Sequence, residues 1–269
     1  MALILKYFYF WISYWFNEHK DPRVEGFFLL GSPFPMYLMI ILYLAFVLKW
    51  GPKWMENRKP YDLKNVIRVY NFLQVVSNLW LFIFGIRNSY FRKEFSMFCQ
   101  PIDTTNNKPW MQNLLLATYG YYITKYVDLL DTVFFVLRKK NNQITFLHVY
   151  HHAGMVFAVY IFTKFLAGSH STMLGVINLF VHTIMYSYYL LSSINPKYTK
   201  SIWWKRYITQ LQLVQFGYLV FHFIIVIVKN DCGHPNLIAF VGLIQNLFMF
   251  ALFFDFYRRS YIRKRTKVQ

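Results

Sequence analysis

"FLHVYHHAGMV", residues 146–156, sets three imidazoles, His148, His151 and His152, in a run otherwise suited to hydrocarbon, and the whole chain holds only eight histidines. The fold turns on the solvent around that run. Its apolar character continues through "FAVYIFTKF" (157–165), and about 20 such residues cross roughly 30 Å of hydrocarbon as a helix. The rest of the chain is alike: of 269 residues, 57% are hydrophobic and 22% aromatic, more than a soluble domain needs for its core. Comparable runs lie near 33–50, 66–86, 111–137, 172–193, 207–228 and 236–257, and with 143–163 they make seven. The expected fold is an all-α integral membrane protein of seven transmembrane helices, the bundle enclosing a substrate tunnel. The expected organisation is an N-terminal segment 1–31, a transmembrane catalytic domain 32–257 and a basic tail 258–269. The opening "MALILKYFYFWISYWFNEHK" is short, contains Lys6 and lacks a small-residue cleavage site, so it reads as an interfacial segment rather than a signal peptide.

Charge orients the bundle. The chain carries 29 Lys and Arg against 11 Asp and Glu, a formal net charge of +18. With the C-terminus cytosolic and the N-terminus lumenal, the cytosolic loops and tail hold 17 of the basic residues and the opposite side nine, as the positive-inside rule requires. The excess therefore reads as topology and attraction to anionic lipid, with no nucleic-acid partner.

This orientation gives each intramembrane polar residue a depth. Asp131, Asp128 and Lys125 lie 7, 10 and 13 residues below Arg138, roughly 10–20 Å from the cytosolic end at 1.5 Å per residue. His148, His151 and His152 come to a similar depth from the other direction, and they share one helical face through their i, i+3, i+4 spacing. His182, Tyr186 and Tyr189 in the fifth span join that layer, as do Thr209, Gln212 and Gln215 in the sixth and Arg68, Asn71, Gln74 and Asn78 in the second. The other half of each span is almost wholly aliphatic and aromatic.

Buried amides such as Asn78 and Gln245 are accounted for by interhelical hydrogen bonds, and Lys125 with Asp128, three apart, by an internal ion pair. Three histidines at the depth of two carboxylates point instead to a site. Imidazoles suit iron or zinc, and H-x-x-H-H resembles the boxes of membrane di-iron desaturases and hydroxylases. Those enzymes carry about eight ligating histidines, whereas here His19, His170 and His234 fall in far-side loops and only His182 and His222 join the box within spans. No Glu-x-x-His motif and no intramembrane glutamate offers a carboxylate di-iron site. The remaining chemistry is nucleophilic: a neutral imidazole attacks a thioester, and the acyl-imidazole stays reactive to a second nucleophile. A non-enzymatic seven-span receptor or transporter is the rival reading, in which the polar layer binds a ligand or carries protons.

Five stretches then carry a resemblance. "KYVDLLDT" (125–132), "HVYHH" (148–152), "HTIMYSYY" (182–189) and "TQLQLVQ" (209–215) are similar to the ordered motifs of the very-long-chain fatty acid elongases, 3-ketoacyl-CoA synthases of the endoplasmic reticulum. "GPKWMENRKPYDLK" (51–64), with "YNF" (70–72), resembles that family's segment after its first span. One departure stands out: the family pattern K-x-x-E-x-x-D-T has glutamate where this chain has Asp128.

The resemblance implies a decarboxylative Claisen condensation of an acyl-CoA with malonyl-CoA, releasing CO2 and CoA, with no metal and no cofactor beyond the CoA thioesters themselves. The expected partners are the bilayer, the other enzymes of the elongation cycle and further copies of the chain in a homo-oligomer. In this reading His151, flanked by His148 and His152, takes the acyl group and His182 is a second catalytic imidazole. Lys125, Asp128 and Asp131 set the electrostatics and the histidine tautomers. Tyr186, Gln212, Gln215 and Asn71 are candidate oxyanion donors, and Tyr189 lines the substrate. Arg58, Lys59, Arg138, Lys139, Lys140, Lys205 and Arg206 ring the cytosolic mouth, where CoA phosphates would sit. The tail "RKRTKVQ", with Arg265 and Lys267, is similar to a dibasic retrieval signal of the endoplasmic reticulum. The only cysteines, Cys99 and Cys232, fall in loops on the lumenal side, an oxidising compartment, and a disulfide between them is expected.

Overall fold

The computed structural model describes residues 6–7, 10, 14, 18–195, 197–198 and 202–262; Arg265 and Lys267 lie outside them. All the regular structure among these residues is helical. The helices are α1 (Phe34–Met55), α2 (Lys64–Arg87), α3 (Pro109–Asp128), α4 (Leu130–Leu137), α5 (Phe146–Phe165), α6 (Thr172–Ile194), α7 (Ile202–Val228) and α8 (Asn236–Tyr257).

Among the described residues, five helical segments are long and apolar enough to cross a membrane: Phe34–Met55, Lys64–Arg87, Thr172–Ile194, Trp203–Val228 and Asn236–Ile262. The other two expected spans do form helices, as α3 with α4 and as α5, but they fall outside that class. Lys125, Asp128 and Asp131 interrupt the first, and three histidines and Lys164 the second. Among the described residues the structure thus has five helices apolar enough to cross a membrane and two polar-faced ones where the remaining two of the seven transmembrane helices were expected. The reason is physical: a helix that presents ionisable groups to a protein interior has less need of apolar residues on that face.

Packing follows from those faces. Going round, α2 touches α3, α3 touches α5, α5 touches α8, α8 touches α7, α7 touches α6, and α6 returns to α2. Six helical pairings close a ring, while α1 packs outside it on α5 and α4. Three local devices set the ring's upper end, the end bearing the histidine box. Thr145 caps α5 by accepting from the His148 amide at 3.3 Å, so the box occupies the first two turns. Arg68 donates twice to the Ser193 carbonyl, at 3.1 and 2.9 Å, closing the end of α6. Pro52 lacks the amide that would continue α1, and the helix widens into a π-turn over Phe46–Trp50, with the Gly51 amide bonding to Phe46. Gly51 is required there, because a Cβ would stand 2.7 Å from Val136 and 2.8 Å from the Phe46 carbonyl.

The opposite end is sealed by side chains that interlock. Lys164, 4% exposed, donates to the carbonyls of Leu30 (2.6 Å) and Gly31 (3.1 Å), and Tyr122 donates to the Leu29 carbonyl. Residues 21–31 are thus docked on the bundle rather than lying as a free interfacial strip. Cys99 and Cys232 form a disulfide with Cα atoms 5.6 Å apart, across a sequence separation of 133. It ties the loop between α2 and α3 to the loop between α7 and α8, which constrains the unfolded chain by about 2–4 kcal/mol. Intact mass after alkylation without reduction should show no modified thiol, and full alkylation after reduction; two alkylated thiols in unreduced, denatured protein would refute the bond.

Beside the disulfide, His170 and His222 stack at 3.7 Å and 9°, each Nε2–H donating to the other's carbonyl at 3.2 Å. His234 closes the group edge-on, 5.9 Å from His170. Burial lowers the pKa of the two loop histidines, His170 and His234, the latter to about 4. These rings stay neutral in the fold and gain a proton on unfolding below about pH 6.5, so their contribution is complete above that pH and declines as pH falls towards 4. The thermal midpoint should therefore drop between pH 6.5 and 4.5, a window above the range of ordinary carboxylates, and drop less in His234→Phe. Equal midpoints at pH 7.5 and 5 would count against this assignment.

Candidate active site

The charged residues of α3 and α4 converge at the junction around Leu129, where the chain tightens by one i−3 bond from the Leu129 amide to Tyr126. Asp128, 3% exposed, is the hub. Its Oδ2 accepts from Lys125 Nζ at 2.7 Å, and its Oδ1 from Gln74 of α2 at 2.6 Å and from Tyr186 of α6 at 3.1 Å. Lys125, 2% exposed, also donates to Asn178 Oδ1 at 3.1 Å and lies 4.7 Å over the Tyr121 ring. Tyr186 reaches Asp131 at 2.7 Å, so one phenol spans both carboxylates. Every polar atom of Asp128 and Lys125 is accounted for, which is what a buried ion pair needs if its desolvation is to be offset.

The histidines divide by what holds them. His148 Nε2 is 2.9 Å from Thr132 Oγ1, which is 2.8 Å from Tyr43 of α1. If Tyr43 donates to Thr132 and Thr132 to His148, no hydroxyl hydrogen lacks an acceptor, and His148 carries its proton on Nδ1. Its Nε2 is engaged. His152 stacks against His148 at 4.2 Å, and His151 stands 5.5 Å from His152 and 6.3 Å edge-on from Phe253 of α8. No hydrogen bond within the described residues occupies a ring nitrogen of His151. His182, on α6, has Nδ1 3.6 Å from Asp128 Oδ2, too far for a hydrogen bond, and this nitrogen is buried without a partner. His151 and His182 lie within electrostatic reach of each other and of Lys125. Among the described residues His151, His152 and His182 therefore make no ring-nitrogen hydrogen bond, and they stand beside a satisfied charge pair.

The other expected residues are distributed around this layer. Asn71 is 3% exposed and Gln215 5% exposed, with the Gln215 carbonyl oxygen buried and unpartnered. Gln212 donates to Met185 Sδ at 3.7 Å, and Tyr189 meets Tyr186 edge-on at 5.9 Å but is largely exposed. Of the basic residues, Arg58 lies over Trp54, Lys59 is exposed, and Lys139 donates to the Glu56 carbonyl at 2.9 Å. Lys139 also has φ +53°, and with Arg138 it ends α4 in a Schellman turn. Arg206 donates to Tyr257 at 3.0 Å across α7 and α8, and Lys205 is exposed beside it. His170, His222 and His234 are at the opposite end. Among the described residues no group of three or more His, Cys, Asp or Glu is arranged to hold a metal ion. The sequence did not single out Tyr43, Tyr70, Tyr121, Thr132 or Asn178 for this site. Asn178 and Tyr121 had a usable signal, each lying four residues before an expected site residue on the same helical face, His182 and Lys125.

The sequence matches known proteins of one family. The model described as the GNS1/SUR4 family, ELO, matches residues 28–269. The chain is similar to a very long chain fatty acid elongase of Aedes aegypti, 40% identical over 269 residues, covering 99% of this chain and 73% of that protein. It is similar to very long chain fatty acid elongase 7 of Drosophila melanogaster, 39% identical over 256 residues, 93% of this chain and 76% of the relative. It is also similar to human very long chain fatty acid elongase 4, 40% identical over 248 residues, 92% of this chain and 77% of the relative.

Proposed function

The chain belongs to the ELO family, and from that premise we propose that it is a fatty acid elongase condensing a long-chain acyl-CoA with malonyl-CoA to give 3-ketoacyl-CoA, CO2 and CoA. One observation carries the histidine-based mechanism: among the described residues the rings of His151, His152 and His182 make no hydrogen bond, with His182 Nδ1 buried 3.6 Å from Asp128, while both cysteines are oxidised at the far end. No thiol nucleophile serves this layer, and imidazole is the remaining group able to accept an acyl chain from a thioester.

In the first step a neutral His151 nitrogen attacks the thioester carbon. An N–C bond forms, the C–S bond breaks, and the CoA thiolate leaves. Malonyl-CoA then loses CO2, and the electron pair of the broken C–C bond becomes the enolate that attacks the acyl-imidazole, releasing neutral imidazole. Overall one proton is taken up, by the departing thiolate. His182, held near Asp128, is the second imidazole. Gln212, Gln215 and Asn71 are the candidate donors to the oxyanions, the preorganised contribution that is usually largest, whereas the single hydroxyl hydrogen of Tyr186, also expected as a donor, is directed at the Asp128 and Asp131 carboxylates. The reaction so written uses no metal or redox cofactor. The protein works in the endoplasmic reticulum membrane with the histidine-box end cytosolic. Mixing purified protein with acyl-CoA and labelled malonyl-CoA tests the reading: stoichiometric release of labelled CO2 and CoA is expected, and their absence, or activity that tracks bound iron, overturns it.

The acyl chain runs from the polar layer into the far half of the ring. A cavity of about 40 Å³ lies there, lined by Leu81, Gly85, Ala117, Tyr121, Gly175 and Leu179 among others, and an acyl chain entering it would widen it between these side chains. A Cβ on Gly85 would meet Ala117 and Val176 at an ordinary 3.9 Å, so a larger side chain would grow into the space without forcing the helices apart. Gly85→Leu should therefore shorten the longest product by at least one two-carbon step, since each buried CH2 contributes about 0.8 kcal/mol. An unchanged product distribution would place the tunnel elsewhere.

A further inference from the structure

The segment after the first span contains an aromatic ladder that the condensation chemistry does not use. Trp54 and Arg58 are one helical turn apart, with the guanidinium carbon 4.3 Å from the indole centroid. Tyr61 lies nearly parallel to Trp54, its ring centroid 6.1 Å away at 12°. Trp54 is 46% and Tyr61 43% exposed, so both rings reach the surface. The ladder is anchored above the site. The Tyr61 amide donates to the Leu137 carbonyl at 3.0 Å and Lys139 to the Glu56 carbonyl at 2.9 Å. Leu137 stands six residues beyond Asp131 along α4, a rise of about 9 Å, which a phosphopantetheine arm can span.

The surrounding charge suits a phosphorylated partner. Arg58, Lys59, Arg138 and Lys140 cluster in these two adjoining segments. Planar rings beside a guanidinium and free ammonium groups match a purine carrying phosphates, because bases stack on aromatic faces and phosphates pair with Arg and Lys. We propose that Trp54 and Tyr61 form the platform on which the adenine of a CoA thioester stacks, with Arg58 and Lys59 at its phosphates. This deepens the elongase reading and rests on it for the identity of the ligand. A ladder that served only as an interfacial aromatic anchor would have no preference for a purine.

The test uses the full-length protein in detergent and adenosine 3′,5′-bisphosphate, the adenine end of CoA without its arm, as a competitive inhibitor of elongation. Trp54→Ala and Tyr61→Ala should each raise its inhibition constant about tenfold, the scale of one base–aromatic stack, and Trp54→Phe should retain most of the effect. The same alanine variants should raise KM for both CoA thioesters, the loss falling on KM rather than kcat. They should also narrow the wild-type preference for CoA thioesters over the corresponding pantetheine thioesters. An inhibition constant unchanged in both variants, or equal losses on CoA and pantetheine substrates, overturns the platform and favours the interfacial anchor. Direct calorimetric titration with the bisphosphate separates the two proposals: a wild-type protein that binds it but does not condense keeps the platform and removes the elongase reading.

Discussion

The His151→Ala protein is expected to release no measurable CO2 or CoA, a loss of at least about a thousandfold, while remaining folded in the membrane. The chemical half follows from role: a group that carries the acyl intermediate has no substitute at its position, and deleting one member of such a unit removes most of the rate. The structural half follows from its surroundings. His151 makes no hydrogen bond within the described residues and touches Phe253 edge-on at 6.3 Å, so truncation strands no polar partner. The cost is lost packing, about 1–3 kcal/mol. His148→Ala should behave differently, because it removes the acceptor of the Thr132 hydroxyl, which itself accepts from Tyr43, and so loses stability together with activity. Incubation with acyl-CoA alone sharpens the comparison. The wild-type chain should gain the mass of one acyl group, and His151→Ala should not. An adduct that survives in His151→Ala would move the nucleophile to His182, whose Nδ1 is unpartnered.

Asp128→Ala should destabilise the protein by about 3–5 kcal/mol, the cost of leaving one member of a buried ion pair uncompensated. Lys125 would keep only Asn178 and the Tyr121 face at 2% exposure. Gln74 and Tyr186 would lose an acceptor at the same time, and α2, α3 and α6 would lose their shared anchor. The double variant Lys125→Met with Asp128→Leu should recover much of that stability, because it removes both charges rather than one, yet remain inactive. Thermal unfolding followed by gel filtration reads the difference, and a single variant within about 1 kcal/mol of wild type would show that the pair is not buried as described. Asp128→Glu would extend the carboxylate by one methylene, restoring the family residue across the 3.6 Å gap to His182.

Spacing along the chain was enough to place the site at one depth. Lys125, Asp128 and Asp131 at intervals of three, and His148, His151 and His152 at i, i+3, i+4, each had to share a helical face, and charged residues that cannot face lipid had to face one another. The disulfide partners were legible for a similar reason, since two lone cysteines in same-side loops leave one pairing. The relative roles of the histidines were not. His148, His151 and His152 share a face by spacing, and Thr132 Oγ1 at 2.9 Å, from another helix, separates the engaged ring of His148 from the other two. Nor could the sequence show that His170, His222 and His234, 64 residues apart at the extremes, meet at the opposite end.

What the sequence by itself determined was the solvent, the helices and the layer in which chemistry belongs, because hydropathy, helical period and the cost of an intramembrane charge act along the chain and need no partner. Tertiary structure decided which groups touch: the ring of six helical pairings, the outer position of α1, and Asp128 as the meeting point of Gln74, Lys125 and Tyr186. A hydrogen bond between helices depends on their relative rotation and height to within a few tenths of an ångström, and that is set by how all the side chains pack together.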